Sequence, residues 1–120
     1  KLRRTLMDFG FGERTGIDLP GESRGVLKPL PWRSHLLANI SFGHGISATP
    51  IQVAAAYAAI ANGGLLKKPF LVKASQVEGD DKKEYQAHVV RRVLSPEQAA
   101  VMRMMLQQAT SEKSTGHAAR

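Results

Sequence analysis

The 120-residue chain has no cysteine, few aromatic side chains and no long apolar run. Without cysteine there is neither a disulfide framework nor thiolate catalysis, and the compartment stays open. Aromatics make up 6% of the residues, so stacking platforms for nucleobases are scarce. No stretch approaches the ~18 apolar residues of a membrane span, and no signal peptide is visible. Acidic residues are missing altogether between Glu22 and Glu78. The chain opens on Lys1-Leu2-Arg3-Arg4 without a methionine and stops at His117-Ala118-Ala119-Arg120, so both ends are expected to be cut rather than natural.

What is present is a basic balance, with a formal charge of +7. Such a balance raises anionic partners, but the cations are scattered. Lys1, Arg3, Arg4 and the pair Arg91-Arg92 are among the tightest groups. A chain of this length can form one small domain that buries roughly two-thirds of its unfolded surface.

The segment 41–64 organises the chain. Ser41-Phe42-Gly43-His44-Gly45 forms a glycine loop, followed by Thr49-Pro50-Ile51-Gln52, an alanine-rich run and Asn62-Gly63-Gly64. Thr49 as N-cap, Pro50 at the first helical position and Gln52 three residues after the cap spell a capping box. The glycines at 63–64 offer a left-handed stop. No residue from Pro50 to Gly64 is charged. A helix apolar on every side is expected to be buried on every side, and little else in the chain is available to cover it.

Around this helix the rest falls into place. Leu2, Leu6 and Phe9 share one helical face, ended by Gly10. Residues 11–22 are turn-rich, with Ile17 and Leu19 in a short extended segment. Residues 25–32 read as a loop whose Trp32 packs on the surface or a neighbouring element. Residues 36–42 form a short apolar helix or strand. Phe70-Leu71-Val72 after Pro69, and residues 88–94, are strand candidates. Residues 78–84 read as a solvated turn or loop. Ser95-Pro96-Glu97-Gln98 repeats the capping signature, and Met102, Met105, Leu106 and Ala109 form the apolar stripe of a second helix. The expected class is α/β of the α+β type, with a buried Ala-rich helix, a second C-terminal helix and at least two strands.

Several motifs fail on inspection. Gly43-His44-Gly45-Ile46-Ser47-Ala48 matches G-x-G-x-x-A, but the helix cap lies after it and no acid follows at the required distance. A Ser/His/acid triad can be drawn from Ser41 or Ser47, His44 and Asp18, without a nucleophile elbow to support it. His35 and His44 lack metal-ligand spacing, and Asp80-Asp81 with Glu84 lacks an EF-hand pattern. Neither a metal nor a cofactor is expected. Lys113-Ser114-Thr115-Gly116 has one residue too many for a Lys-Thr/Ser-Gly strand and no β-branched run before it.

Four blocks in register carry a resemblance. Phe9-Gly10-Phe11-Gly12-Glu13-Arg14-Thr15-Gly16-Ile17-Asp18-Leu19-Pro20-Gly21-Glu22 resembles a segment of class B penicillin-binding proteins. Ser41 to Gly45, Thr49-Pro50-x-Gln52, Tyr57 and 60–64 resemble the block that follows it there. Residues 88–93 and the last helix continue the match, which spans nearly the whole chain. The Leu-Pro-Gly-Glu form and the Ser-Phe-Gly-His-Gly loop lean towards the septal, cell-division type.

The resemblance implies a serine D,D-transpeptidase that cross-links peptidoglycan stem peptides and is acylated by β-lactams. It also implies an inner-membrane anchor, a periplasmic catalytic domain and divisome membrane proteins as partners. The family's Ser-x-x-Lys, Ser-x-Asn and Lys-Thr/Ser-Gly motifs are all missing here, so residues 1–120 are expected to be a partial transpeptidase domain, inactive alone and without a catalytic residue of its own. By the resemblance, His44 with Phe42, Gly43 and Gly45 borders the substrate cleft. The uncovered helix predicts poor stability or self-association of the piece. No nucleic acid is expected as a partner. The charge alone would fit a different class, a small basic α+β module binding an acidic partner or nucleic acid.

Overall fold

The computed structural model describes residues 1–79, 81–111, 114, 116 and 118. In chain order the elements are α1 (Leu2–Asp8), β1 (Val26–Leu27), α2 (Ser34–Ser41), β2 (Ile46–Ser47), α3 (Pro50–Ala61), β3 (Leu65–Lys67), β4 (Ala74–Ser75), β5 (Lys83–Glu84), β6 (Val89–Arg92) and α4 (Pro96–Gln108). The strands form three antiparallel two-stranded ladders, β1–β2, β3–β6 and β4–β5.

Both expected capping boxes are present. Thr49 Oγ1 accepts from the Gln52 amide at 3.2 Å while Gln52 Oε1 accepts from the Thr49 amide at 2.8 Å. Ser95 and Gln98 repeat this at α4, at 3.2 and 3.0 Å. Each cap satisfies amides that the first helical turn leaves without partners. At the other end, α1, α2 and α3 all close with the same turn. The amide two residues past the cap reaches back across six residues: Phe11 to Leu6 O (3.0 Å), His44 to Asn39 O (2.8 Å) and Gly64 to Ala59 O (2.7 Å). That Schellman geometry needs a left-handed residue after the cap, supplied by Gly10, Gly43 and Gly63.

The core lies where α3 meets β3–β6 and α4. Its buried apolar residues are Ala56, Ala59, Ile60, Leu66 and Ala99, and Ile40 is buried separately on α2. The turn from α3 into β3 locks onto the end of β6. The Val93 and Leu94 amides both donate to Gly64 O, at 2.8 and 3.3 Å. Arg103 of α4 donates to Ala61 O at 3.0 Å; a cation there suits the negative end of α3.

Five expectations change, the first within the loop expected at 25–32, where Val26–Leu27 pair with Ile46–Ser47. The helix α3 is buried on one side only: Gln52, Ala56, Ala59 and Ile60 face inward, while Val53 is 39% and Tyr57 56% exposed. The physical reason is that β3–β6 and α4 occupy one face and nothing described covers the other. On α4 the buried stripe runs through Ala99, Met102 and Leu106, leaving Met105 62% exposed and Ala109 exposed. Met105 lies roughly 90° round the helix from the centre of that stripe. The strand expected at 70–72 is irregular and exposed, and the paired segment is Leu65–Lys67. Pairing starts directly after Gly64 and ends with the Lys68 amide on His88 O at 2.9 Å, because Pro69 has no N–H to continue it. Of the segment expected as a turn or loop at 78–84, Lys83–Glu84 is strand, paired to Ala74–Ser75, and Asp80 lies outside the described residues.

The shape is extended. The radius of gyration is 17.4 Å, against about 13.6 Å for a compact domain of this length. Among the described residues, seventeen large apolar side chains are exposed against six buried apolar residues, so the core is small for the apolar surface left outside it.

Candidate functional site

The helix α2 delivers the segment 42–45 to the surface. Its Schellman turn sets Gly43 at φ +93°, with the Gly43 amide on Ile40 O at 3.1 Å. Gly45, at φ +78°, lies against α2, where a Cβ would come within 3.2 Å of Leu36 Cδ1. The chain then enters β2. Between the two glycines His44 is exposed, and Phe42 is 66% exposed. Their rings meet at 5.0 Å between centroids, tilted by 53°. The structure thus brings Phe42, Gly43, His44 and Gly45 together as one small surface feature. It offers an apolar ring, an imidazole able to donate and accept, and bare backbone on either side.

The triad drawn on paper does not assemble. Ser41 Oγ donates to Ala38 O of its own helix at 2.6 Å. Asp18 instead lines a cleft with Lys68, Phe70, Leu71, Val72 and Tyr85 on the hairpin side. The Lys-Ser-Thr-Gly sequence falls partly outside the described residues, at Lys113 and Thr115. Its Ser114 hydroxyl donates to Ala109 O and Ser111 O, and the Gly116 amide to Ala109 O at 3.1 Å, so both close the end of α4. Among the described residues no cluster of three or more His, Cys, Asp or Glu is placed to hold a metal ion.

Two polar side chains that sequence reading underrated fix the surroundings. Gln52, 1% exposed, uses its carboxamide beyond the cap: Nε2 donates to Glu13 O at 2.6 Å and to Arg24 O at 2.9 Å. Glu22 clasps the loop that begins at Thr15. Its Oε1 accepts from the Thr15 amide and hydroxyl at 2.6 Å each, and Oε2 from the Gly16 amide at 3.1 Å. The Thr15 hydroxyl first, then the two amides and the nearby Arg14 charge, hold the Glu22 carboxyl below its usual range against an opposing effect of burial. Glu97 in the first turn of α4 is likewise lowered, chiefly by a hydrogen bond from Ser95. The capping spacing was a signal for Gln52, but partners 28 and 39 residues away leave no local signature.

The family model described as "Penicillin binding protein transpeptidase domain" matches residues 1–120. The chain belongs to the penicillin-binding protein transpeptidase family. It is 38% identical over 115 residues to stage V sporulation protein D of Bacillus subtilis, covering 93% of this chain and 18% of that protein. Penicillin-binding protein PbpB of Mycobacterium tuberculosis is 35% identical over 113 residues, covering 93% of this chain and 17% of the relative. Among solved structures, penicillin binding protein 3 of M. tuberculosis complexed with ampicillin superposes with a TM-score of 0.82 at 35% identity. The match covers 94% of this chain and 25% of that one. The chain therefore spans under a fifth of the length of these two relatives. The family match accounts for the four sequence blocks and for the mixed helix-and-strand fold. Nothing in it supports the basic interaction module.

Proposed function

We propose that this chain is an internal part of the transpeptidase domain of a serine D,D-transpeptidase. The intact protein would cross-link peptidoglycan stem peptides in septal wall synthesis and be acylated by β-lactams. One observation carries the reading: the chain matches a quarter of an ampicillin-bound penicillin-binding protein at a TM-score of 0.82. Its own sequence lacks Ser-x-x-Lys, Ser-x-Asn and a correctly spaced Lys-Thr/Ser-Gly. The nucleophile, its base and the carboxylate-holding strand then come from other parts of the intact protein. The septal assignment rests on the Leu19-Pro20-Gly21-Glu22 form and on Ser41-Phe42-Gly43-His44-Gly45.

In this reading the residues 42–45 form one wall of the substrate cleft. The left-handed glycines let a ligand approach the backbone, and Phe42 and His44 present an apolar ring and a hydrogen-bonding imidazole side by side. Neither ring supplies the acyl-transfer nucleophile. A periplasmic catalytic domain on an inner-membrane anchor, with divisome membrane proteins as partners, completes the picture. Among the described residues no helix is long and apolar enough to cross a membrane, so the anchor is proposed for the intact protein alone.

Acylation of the intact protein by a fluorescent penicillin tests the wall. Phe42→Ala combined with His44→Ala is expected to slow acylation about tenfold, as lost pocket contacts do. An unchanged rate would remove residues 42–45 from the cleft.

A further inference from the structure

The geometry points to Gln52 as a positioning residue for the wall segment 42–45, an assignment that rests on the reading of that segment given above. A Glu at this N3 position would complete the capping box just as well. What demands glutamine is the other end of the carboxamide. Its Nε2 donates to two backbone carbonyls, Glu13 O and Arg24 O, at 2.6 and 2.9 Å. A carboxylate there would face both carbonyl oxygens without a proton to give. One buried neutral group that accepts at one atom and donates twice at the other is what only an amide side chain provides.

The path from Gln52 to the wall is short and contiguous. Arg24, held by Nε2, leads into Gly25. A Cβ on Gly25 would stand 2.2 Å from Ser47 O and 3.1 Å from Gln52 Oε1, so the backbone lies flush between β2 and the carboxamide. The next two residues form β1 and pair with β2, Val26 opposite Ser47 and Leu27 opposite Ile46. The strand β2 begins immediately after Gly45. The wall is thus anchored behind by the end of α2 and in front by β2, and β2 takes its place from a strand that Gln52 fixes. The second tether, to Glu13 O, ties the same carboxamide to the loop that follows α1. Losing the amide takes the donor from two backbone carbonyls and frees β1 to shift, moving β2 and the wall with it.

The test is a double-mutant cycle on acylation kinetics of the intact protein, with a fluorescent penicillin as probe. Gln52→Met is expected to lower the second-order acylation rate about tenfold, mainly by weakening the complex before acylation rather than the acylation step itself. Combined with Phe42→Ala and His44→Ala, the losses are expected not to multiply, because both changes act on one wall. Losses that multiply, or a loss confined to the acylation step, would overturn the assignment. If the wall variant alone leaves the rate unchanged, the cleft-wall reading falls and this assignment falls with it. If the wall variant slows acylation and Gln52→Met does not, only this assignment falls. If Gln52→Met does not fold, Gln52→Glu, which keeps the capping acceptor and removes the paired donors, gives the same cycle with the same deciding outcomes.

Discussion

Glu22 closes on Thr15 across seven residues, with one carboxylate oxygen accepting both the Thr15 amide and the Thr15 hydroxyl at 2.6 Å. The clasp explains why Thr15-Gly16 and Glu22 stand at the two ends of one motif: the first supplies donors and the second the acceptor that folds the turn between them. Because these donors hold the native carboxyl below its unfolded value, its contribution to stability is complete above about pH 4.3. That contribution fades as pH falls through the lower native value. Glu22→Gln is therefore expected to lower the unfolding temperature of the intact protein at neutral pH. It should also flatten the loss of stability as pH falls below about 4.3. Parallel pH profiles for the two proteins would show that the clasp contributes nothing.

Gly63 and Gly64 are adjacent, and both have positive φ, yet they should respond very differently to alanine. A Cβ on Gly63 meets nothing within 4 Å, whereas on Gly64 it would stand 2.2 Å from Leu94 O. Gly63→Ala is expected to cost about 1–2 kcal/mol, the strain of a left-handed alanine. Gly64→Ala should cost more than about 3 kcal/mol, since the turn into β3 must also move off the end of β6. Denaturant unfolding of both variants distinguishes them; equal losses would contradict the close approach.

The outward face of α3 leaves Tyr57 56% exposed, and α4 leaves Met104 63% and Met105 62% exposed. Exposed apolar side chains drive association when they gather on surfaces that nothing covers. The isolated 120-residue chain is expected to sediment as oligomers, and Tyr57→Glu with Met105→Glu to shift it towards monomer. A monomeric chain with one cooperative unfolding transition would count against this.

The polar ends of the helices were legible because capping is local. Thr49, Gln52, Ser95 and Gln98 lie within one turn of the amides they serve, and Gly10, Gly43 and Gly63 directly follow the caps they close. Packing was less legible. The uncharged run of α3 says that the helix can be buried, not which neighbours are there to bury it. The strand expectation at Phe70-Leu71-Val72 followed β-propensity, but pairing chose Leu65–Lys67, next to Gly64 and before the break at Pro69. At the candidate site, the four residues 42–45 are contiguous, so their sequence already placed them together; the contact between Phe42 and His44 followed from the turn. The support from Gln52 stayed hidden because its two carbonyl partners come from loops far away in the chain.

The most direct test is covalent labelling with a fluorescent penicillin, applied to the intact protein and, separately, to residues 1–120. A stable acyl adduct is expected on the intact protein, on a serine outside this segment, and none on the 120-residue chain. A stable adduct on residues 1–120 alone, or an intact protein that takes no label, would contradict it.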